Sequence, residues 1–124
     1  MIIDRLTIML PWLDSRLMPN RKNGKAWQSS HAAKIRAKQD GALSARAALG
    51  RNALTTAVTY PLSITFVAPD GRHRDLDNML AASKAALDGI AEALGIDDRL
   101  FRPVTIDVAR DTKKQGFVLV EIGQ

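Results

Sequence analysis

Apolar and polar residues alternate along four segments of the chain, and each alternation predicts a β-strand. The alternation is clearest in residues 58–67, and the apolar positions there are Val58, Tyr60, Leu62, Ile64 and Phe66. Residues 3–10 alternate more weakly, and Pro11 ends that segment because proline cannot donate a ladder hydrogen bond. Residues 103–109 and 116–122 predict two further strands.

Two longer segments have the composition or the spacing of helices. The first runs from Ser29 or Ser30 to Leu49, is rich in strong helix formers and is weakened in its middle by Gly41. Its expected apolar stripe comprises Ile35, Ala42, Leu43 and Leu49. The second helix follows the segment 72–78 and ends at Gly95. Its expected stripe comprises Leu76, Leu80, Leu87, Ile90 or Ala91, and Leu94.

The order strand, helix, strand, helix, strand, strand predicts an α+β fold. We expect a single domain over residues 1–124, with a mixed or mostly antiparallel four-stranded sheet and two main helices packed on it. Residues 112–116 are expected to join the last two strands as a hairpin. Pro61 is expected to put the start of the second strand at a sheet edge.

Composition narrows the class of protein. The chain has no cysteine, which excludes disulfides and thiolate metal sites and agrees with a cytoplasmic location. No segment approaches the roughly 20 apolar residues of a membrane span, so we expect no membrane partner. The net charge of +5 and the pI near 10.0 indicate nucleic acid or another polyanion as partner. Half of the 18 Lys and Arg residues lie in residues 16–51.

Four aspartates form two tight pairs within this basic chain. Asp75 and Asp77 lie in the segment Arg-His-Arg-Asp-Leu-Asp-Asn, and Asp97 and Asp98 follow the second helix. Carboxylates oppose the binding of a polyanion, so a bound divalent cation is their natural explanation. Mg2+ is held in proteins by one or two carboxylates together with substrate phosphates. Helix capping is the alternative for one aspartate, but it does not explain two pairs.

The distance between the two pairs is a difficulty for a single metal site. A helix over residues 78–94 spans about 25 Å at 1.5 Å per residue. Asp98 can therefore meet Asp75 only if the chain turns back after Gly95, or if a second subunit supplies it.

Three motifs of the chain resemble those of the RusA family of Holliday-junction resolvases. They are Arg-His-Arg-Asp-Leu-Asp-Asn at 72–78, Lys-Ala-Ala-Leu-Asp at 84–88 and Gly-Ile-Asp-Asp at 95–98. Leu-Pro-Trp at 10–12 also resembles the end of that family's first strand. The resemblance implies a small homodimeric endonuclease that binds four-way DNA junctions and cuts symmetric strands with Mg2+, for which Mn2+ is a possible substitute. Many members are encoded by phages or prophages, which implies the cytoplasm of a bacterial host.

The resemblance also implies roles for particular residues. Asp75, Asp77 and Asp98 become the catalytic carboxylates and metal ligands, with Asp97 as neighbour or substitute. The metal would lower the pKa of an attacking water and stabilise the leaving oxygen. Lys84 would neutralise charge on the scissile phosphate.

The position of the catalytic lysine departs from the family pattern. The family lysine lies four residues after the second motif aspartate, where this chain has Ala81. Lys84 lies seven residues after it, and steps of four and seven residues leave about the same helix face, rotated by roughly 40° and −20°. In the alternative reading, Lys84 lies between Leu80 and Leu87 and pairs with Asp88.

Eight cations are candidate DNA contacts, namely Arg72, Arg74, Arg16, Arg21, Lys22, Lys25, Lys34 and Lys38. Trp12 is expected to be a packing anchor, whereas Trp27 is either an anchor or a platform for a base. A catalytically inactive DNA-binding protein is the main rival to a nuclease, and the displaced lysine is its best support. A non-specific RNA-binding domain is a weaker third possibility.

Overall fold

The secondary-structure elements follow the chain in the predicted order, with short additional pieces. The computed structural model describes residues 1–19 and 26–124. The elements are β1 (Ile2–Ile3), β2 (Arg5–Pro11), α1 (Ala26–Leu49), β3 (Ala53–Leu54), β4 (Tyr60–Ala68), α2 (Leu76–Leu94), β5 (Phe101–Arg110) and β6 (Phe117–Gly123). Single 3-10 turns at Ser15–Leu17 and Asp98–Leu100 precede α1 and β5. In the described part of the chain, neither α-helix is long and apolar enough to span a bilayer.

The main sheet is mixed and four-stranded, and the predicted α+β fold is confirmed. Its strand order is β2-β6-β4-β5, where β6 pairs antiparallel with β2 and β4 while β5 runs parallel to β4. A separate two-stranded sheet joins β1 to β3. The parallel β4–β5 pair requires a crossover, and α2 provides it.

The alternation in β4 supplies the centre of the core. Its side chains facing the helices are buried, namely Tyr60, Leu62, Ile64, Phe66 and Ala68. Val58 was expected to share this face, but it precedes the strand and is 86% exposed. Strand β4 as a whole is an inner strand, but Pro61 at its start has no partner in β6, because the pairing of the two strands begins at Leu62. The ladder to β5 shifts register between Tyr60 and Leu62, and the lost hydrogen bond of Pro61 falls at this irregularity.

The two helices pack against each other through small residues. Ala33, Gly41 and Ala45 of α1 are buried, whereas Ile35 and Leu43 of the expected stripe are exposed. The expected stripe is therefore wrong for these two residues. Small residues are buried here because the two helix backbones approach closely. A β-carbon at Gly41 would overlap the carbonyl oxygen of Ala86.

The buried face of α2 also differs from the expected one. The buried residues are Met79, Ala82, Ser83, Ala86, Gly89, Ile90 and Ala91. Of the expected stripe, Ile90 and Ala91 are buried as predicted, whereas Leu76 is exposed. The half-buried members are Leu80, Leu87 and Leu94. These leucines lie on the flank of α2, where the sheet and α1 do not fully cover them. Gly95 ends the helix as predicted, in the left-handed conformation at φ 67°.

Gly41→Ala is expected to destabilise the fold despite the preference of helices for alanine. Helix propensity alone would favour alanine by about 1 kcal/mol. The clash with Ala86 should outweigh it and cost about 1–3 kcal/mol, as overpacking typically does. Urea unfolding measures the change, and the exposed Ala47→Gly provides a control that reports helix propensity alone. A more stable Gly41→Ala variant would contradict the close helix contact.

The expected hairpin between the last two strands is not formed. Strand β4 lies between β5 and β6, so residues 111–116 pass across the end of β4 instead. Asp111 holds this connection, because its carboxylate accepts hydrogen bonds from the backbone N–H groups of Lys113, Gln115 and Gly116 at 2.8–3.2 Å. These hydrogen bonds, with that of Lys113 first, lower the pKa of Asp111.

Asp111→Asn is expected to reduce stability at neutral pH, and the loss should shrink in acid. The pKa of Asp111 is lower in the folded protein than its ordinary value, so its ionised form favours folding above that ordinary value. That contribution disappears as the pH falls through the folded-state pKa. Urea midpoints of both proteins at pH 7 and at about pH 3 test the difference, and Asp107→Asn on the exposed part of β5 is the control. A difference independent of pH would contradict this role.

Candidate functional site

The start of α2 carries Asp75 and Asp77 at the surface. Asp75 occupies the N-cap position with extended backbone, but its side chain makes no capping hydrogen bond. Its carboxylate instead contacts His73 Nε2 at 3.2 Å and accepts a hydrogen bond from Asn78 Nδ2 at 3.3 Å. Asp77 lies in the first turn and is exposed. Capping therefore does not occupy the Asp75 carboxylate, which is held by side chains on either side and stays open to solvent.

A groove of about 490 Å³ runs between α2 and β5, and we call it the α2–β5 groove. Its charged lining residues are Asp77, Lys84, Asp88 and Asp98. Its other lining residues are Leu62, Leu80, Ala81, Leu87, Phe101 and Val104. Three of the four residues predicted to be catalytic thus share one cavity. Most of the wall between them is apolar.

Asp77 and Asp98 lie towards opposite ends of the groove. Asp77 to Asp88 covers about 16 Å of helix axis, and Asp98 lies beyond the end of that helix, just before Phe101. Phe101 pairs with Tyr60 at the start of β4, whereas α2 begins after the end of β4. Within residues 1–19 and 26–124, no group of three His, Asp or Glu residues is close enough to hold a metal ion. One chain therefore does not assemble the expected set of three carboxylates.

The two aspartates of the second acidic pair, Asp97 and Asp98, have different surroundings. Asp97 accepts a hydrogen bond from the backbone of Arg99 and pairs with Arg99 Nη2 at 2.8 Å. The side-chain hydrogen bonds from Arg99 are the main cause that lowers the pKa of Asp97 to about 2. Asp98, in contrast, lines the α2–β5 groove. Of the two, Asp98 is the carboxylate in position to act within the groove.

Lys84 lies in the middle of the groove between the acidic ends. Its side chain is exposed, and Leu80 and Leu87 lie one turn away on either side. Among the ion pairs between described residues, none joins Lys84 to Asp88. The snorkelling geometry of the alternative reading is present, but its ion pair is not. Lys84 is thus available to an anion in the groove.

Arg72 and Arg74 flank the acidic motif in different environments. The side chain of Arg74 is only 12% exposed, because its guanidinium pairs with Asp70 at 2.9 Å and lies 5.3 Å from the ring centre of Trp12. Arg72 contacts the same aspartate at 3.4 Å and is 79% exposed. Arg74 therefore fixes the loop before Asp75, while Arg72 is accessible to a phosphate. Trp12 packs against the core, as expected of an anchor.

The other candidate DNA contacts differ in how far local acids neutralise them. Arg16 pairs with Asp14 at 2.6 Å, and Lys38 of α1 pairs with Glu92 of α2 at 3.0 Å. These acids raise the pKa of both cations, mainly through side-chain hydrogen bonds. Lys34, one turn before Lys38, is exposed. Arg21, Lys22 and Lys25 lie outside the described residues, as does the side chain of Trp27.

Two features of the site were not predicted from the sequence. His73 contacts one oxygen of the Asp75 carboxylate, and Asn78 contacts the other. The signal in the sequence was their spacing, because His73 lies two residues before the N-cap residue Asp75 and Asn78 lies three residues after it. The apolar lining of the α2–β5 groove was the other feature. Leu80 and Leu87 of α2 contribute to this lining together with Leu62, Phe101 and Val104. The helical spacing of the two α2 leucines had suggested only a core face.

Comparison with known proteins finds that the chain is similar in sequence to an uncharacterized bacterial protein. No family model matches the chain. It is 39% identical over 122 residues to an uncharacterized protein of Xylella fastidiosa, and the match covers 95% of this chain and 78% of that protein.

Proposed function

The chain belongs to the same family as this Xylella fastidiosa protein, and we propose that it is a Mg2+-dependent endonuclease of branched DNA. One observation carries the proposal, namely the pair of exposed carboxylates at the start of α2. Asp75 occupies a capping position without capping, and Asp77 opens onto a groove that also contains Lys84. Paired carboxylates with a nearby free cation suit the cleavage of a phosphodiester.

The residues present fit Mg2+ as a partial site. Mg2+ commonly uses one or two protein carboxylates and completes its shell with water and substrate phosphate. Asp75 and Asp77 supply two such carboxylates at an exposed surface. Bound Mg2+ would lower the pKa of an attacking water and stabilise the leaving oxygen. Mn2+ is a possible substitute because it accepts the same oxygen ligands.

The residues around the carboxylates would position the substrate. His73 and Asn78 hold the Asp75 carboxylate from both sides, which fixes its orientation before substrate binds. Lys84 would neutralise charge that develops on the scissile phosphate. Arg72, exposed beside the motif, would hold a neighbouring phosphate.

The substrate and partners follow from the resemblance to RusA resolvases together with the charge. We propose a four-way DNA junction as substrate and a homodimer as the active form, because symmetric cuts on a two-fold junction call for two related sites. The overall charge of +5 favours binding of DNA backbone. The setting would be the cytoplasm of a bacterial host, with a phage or prophage gene as the source.

The decisive experiment compares two substrates of the same sequence. Purified protein with Mg2+ is incubated with a synthetic four-way junction and, separately, with the linear duplex of one arm. We expect paired nicks in the junction, little cutting of the duplex, and no cutting in EDTA. Equal cutting of both substrates, or cutting unaffected by EDTA, would contradict the proposal.

The rival function is an inactive DNA-junction-binding protein. Its support is that the described residues of one chain do not bring three metal ligands together. It predicts tight junction binding without cleavage under any divalent cation. The same gel-shift and cleavage assays separate the two functions.

Lys34 and Lys38 are expected to contribute unequally to DNA affinity. A phosphate contact made by a free lysine adds about 0.9 to the slope of log affinity against log salt. Lys34→Gln should therefore lower the slope by about 0.9, whereas Lys38→Gln should change it less because Glu92 already neutralises Lys38. Fluorescence anisotropy over a salt series measures both slopes. Equal effects would show that the Lys38–Glu92 pair opens on DNA.

A further inference from the structure

A cavity of about 300 Å³ at the ends of β4 and β5 carries an excess of positive charge, and we call it the arginine pocket. Met79 of α2 and Val108 of β5 contribute to its lining. Its charged lining residues are Asp70, Arg72, Arg74 and Arg110. Three guanidinium groups therefore share one carboxylate, which leaves two positive charges that the pocket itself does not neutralise.

The single carboxylate of the pocket, that of Asp70, holds the loop that precedes the acidic motif. It accepts a hydrogen bond from the backbone N–H of Arg72 at 3.0 Å and pairs with Arg74 at 2.9 Å. The backbone hydrogen bond from Arg72 is the main cause that lowers the pKa of Asp70, so this carboxylate is ionised at neutral pH. The Arg74 guanidinium also donates to the carbonyl oxygen of Arg72 at 3.3 Å. Asp70 and Arg74 thus form a fixed wall of the pocket.

Arg110 supplies a cation that no described acid neutralises. It is the last residue of β5 and is exposed. Within residues 1–19 and 26–124, no carboxylate forms an ion pair with it. Its guanidinium lies beside Gly71, where an added β-carbon would be 3.2 Å from Nη1 and 3.6 Å from Cζ. The glycine therefore allows the guanidinium to lie close to the loop. Arg110 was not among the cations that the sequence indicated as DNA contacts.

The arginine pocket lies at the end of the α2–β5 groove where α2 begins. Val104 lines the groove and Val108 lines the pocket, about 13 Å further along the same face of β5. On α2, Asp77 lines the groove and Met79 lines the pocket. Lys84 lies about two turns further along α2 than Asp77. A DNA strand in the groove would therefore meet Lys84, then the carboxylates, and then the arginine pocket.

We propose that the arginine pocket binds a backbone phosphate of the DNA strand next to the cut, with Arg72 and Arg110 as the groups that hold it. The proposal rests on the proposed nuclease function for the presence of a cut, but the binding of phosphate does not. Each guanidinium presents N–H donors in a planar fork that matches two phosphate oxygens. A phosphate fixed here would position the next phosphates of the strand relative to Asp75 and Asp77.

A DNA strand is the phosphate source that this open pocket favours. Arg72 is 79% exposed and Arg110 is also exposed, so water competes with any ligand for both guanidinium groups. A small free anion would be held by these contacts alone. A strand that already lies in the α2–β5 groove presents its phosphate at a high effective concentration, so the same contacts hold it more firmly.

Arg110→Gln tests the phosphate contact in a buffer without divalent cations. Anisotropy of a labelled four-way junction with unphosphorylated ends is measured over a salt series. Loss of one phosphate contact should lower the slope of log affinity against log salt by about 0.9. Arg51→Gln is the control, because it removes the same exposed charge where residues 49 and 52 share a cavity with the far end of α2. No change with Arg110→Gln, or an equal change with both variants, would overturn the proposal. Thermal melts confirm that both variants are folded.

Single neutral phosphates locate the contact along the strand. Junctions that carry one methylphosphonate, which lacks the backbone charge, are bound by the wild-type protein and by Arg110→Gln. We expect one position next to the cut where the methylphosphonate weakens binding of the wild-type protein but not of the variant, because both changes remove the same contact. Equal weakening of both proteins at every sensitive position would overturn the assignment of Arg110 to a flanking phosphate.

Competition separates a DNA phosphate from a free one. Inorganic phosphate at constant ionic strength should displace the junction no better than chloride. If it displaces the junction far better and Arg110→Gln removes that advantage, the pocket holds free phosphate and a DNA strand is overturned as the source. If the wild-type protein binds the junction and cuts nothing, while Arg110→Gln changes the slope and the methylphosphonate response as expected, the nuclease function fails and the phosphate site stands.

Discussion

Asp77→Asn is expected to abolish junction cleavage while it leaves junction binding unchanged or stronger. The substitution removes one oxygen ligand and one negative charge from the surface that meets the phosphate backbone. Loss of a ligand to the catalytic metal should reduce the single-turnover rate by roughly a thousandfold, comparable to losing a key electrostatic stabiliser. Removal of the charge should favour binding, because Asp77 repels DNA in the absence of metal. We expect the same effects on cleavage and binding for Asp75→Asn.

The measurement is single-turnover cleavage beside anisotropy binding in a buffer without divalent cations. Asp88→Asn is the matched control, since Asp88 lines the same groove about three turns further along α2 and has no proposed metal role. Either motif variant with near wild-type cleavage would show that the metal lies elsewhere. Cleavage and binding lost in parallel would point to misfolding, which a thermal melt detects.

Lys84→Ala is expected to slow cleavage about a hundredfold or more with little effect on stability. Lys84 lies in the groove that contains Asp77, and no described acid pairs with it. Removing a cation from a scissile phosphate is comparable to removing one oxyanion-hole donor. The loss of an exposed side chain should cost at most about 1 kcal/mol of unfolding free energy.

Asp88→Ala separates a catalytic Lys84 from one that only pairs along the helix. If Lys84 acts through Asp88, the two variants should have equal and small effects on rate. If Lys84 acts on phosphate, Asp88→Ala should leave the rate nearly unchanged. Lys84→Arg adds a test of geometry, because it keeps the charge but changes its position. Equal and small effects of Lys84→Ala and Asp88→Ala would strengthen the inactive-binder alternative.

The sequence determined the elements of this fold more reliably than the way they pack. Strand β4 was predictable because alternation over nine residues reports one buried face directly. Helix α2 was predictable from its spacing and from Gly95, whose left-handed conformation only glycine adopts easily. Both signals are local, since they depend on neighbours within a few positions.

Packing between elements was harder to predict from the sequence, and α1 shows why. A hydrophobic stripe is expected to hold the largest apolar residues, which favoured Ile35 and Leu43. The partner of α1 is another helix at close range, so small residues define the interface and the large ones are left outside. Gly41, which as an isolated helix residue is a weakness, is required by this contact.

The pairing of strands was likewise decided by tertiary structure. Residues 112–116 resemble a hairpin loop, but β4 lies between the strands that they connect. Both strands make their ladder bonds to β4, and three hydrogen bonds to the Asp111 carboxylate hold the connection between them. The same contrast between local signals and tertiary structure applies to the candidate site. Asp75, Asp77 and Lys84 were identified from one local stretch, whereas the position of Asp98 depends on the direction of β5.

The contact of α1 with α2 has a consequence for the accuracy of cutting. A β-carbon at Gly41 or at Gly89 would overlap backbone of the facing helix, so backbone lies against backbone at both points. The separation between Lys34 on α1 and Asp77 on α2 is then determined by atomic radii and not by side-chain rotamers. A phosphate held at one helix would meet the carboxylates of the other at a constant offset along the strand. The lengths of the cleavage products should accordingly stay uniform from low to high temperature.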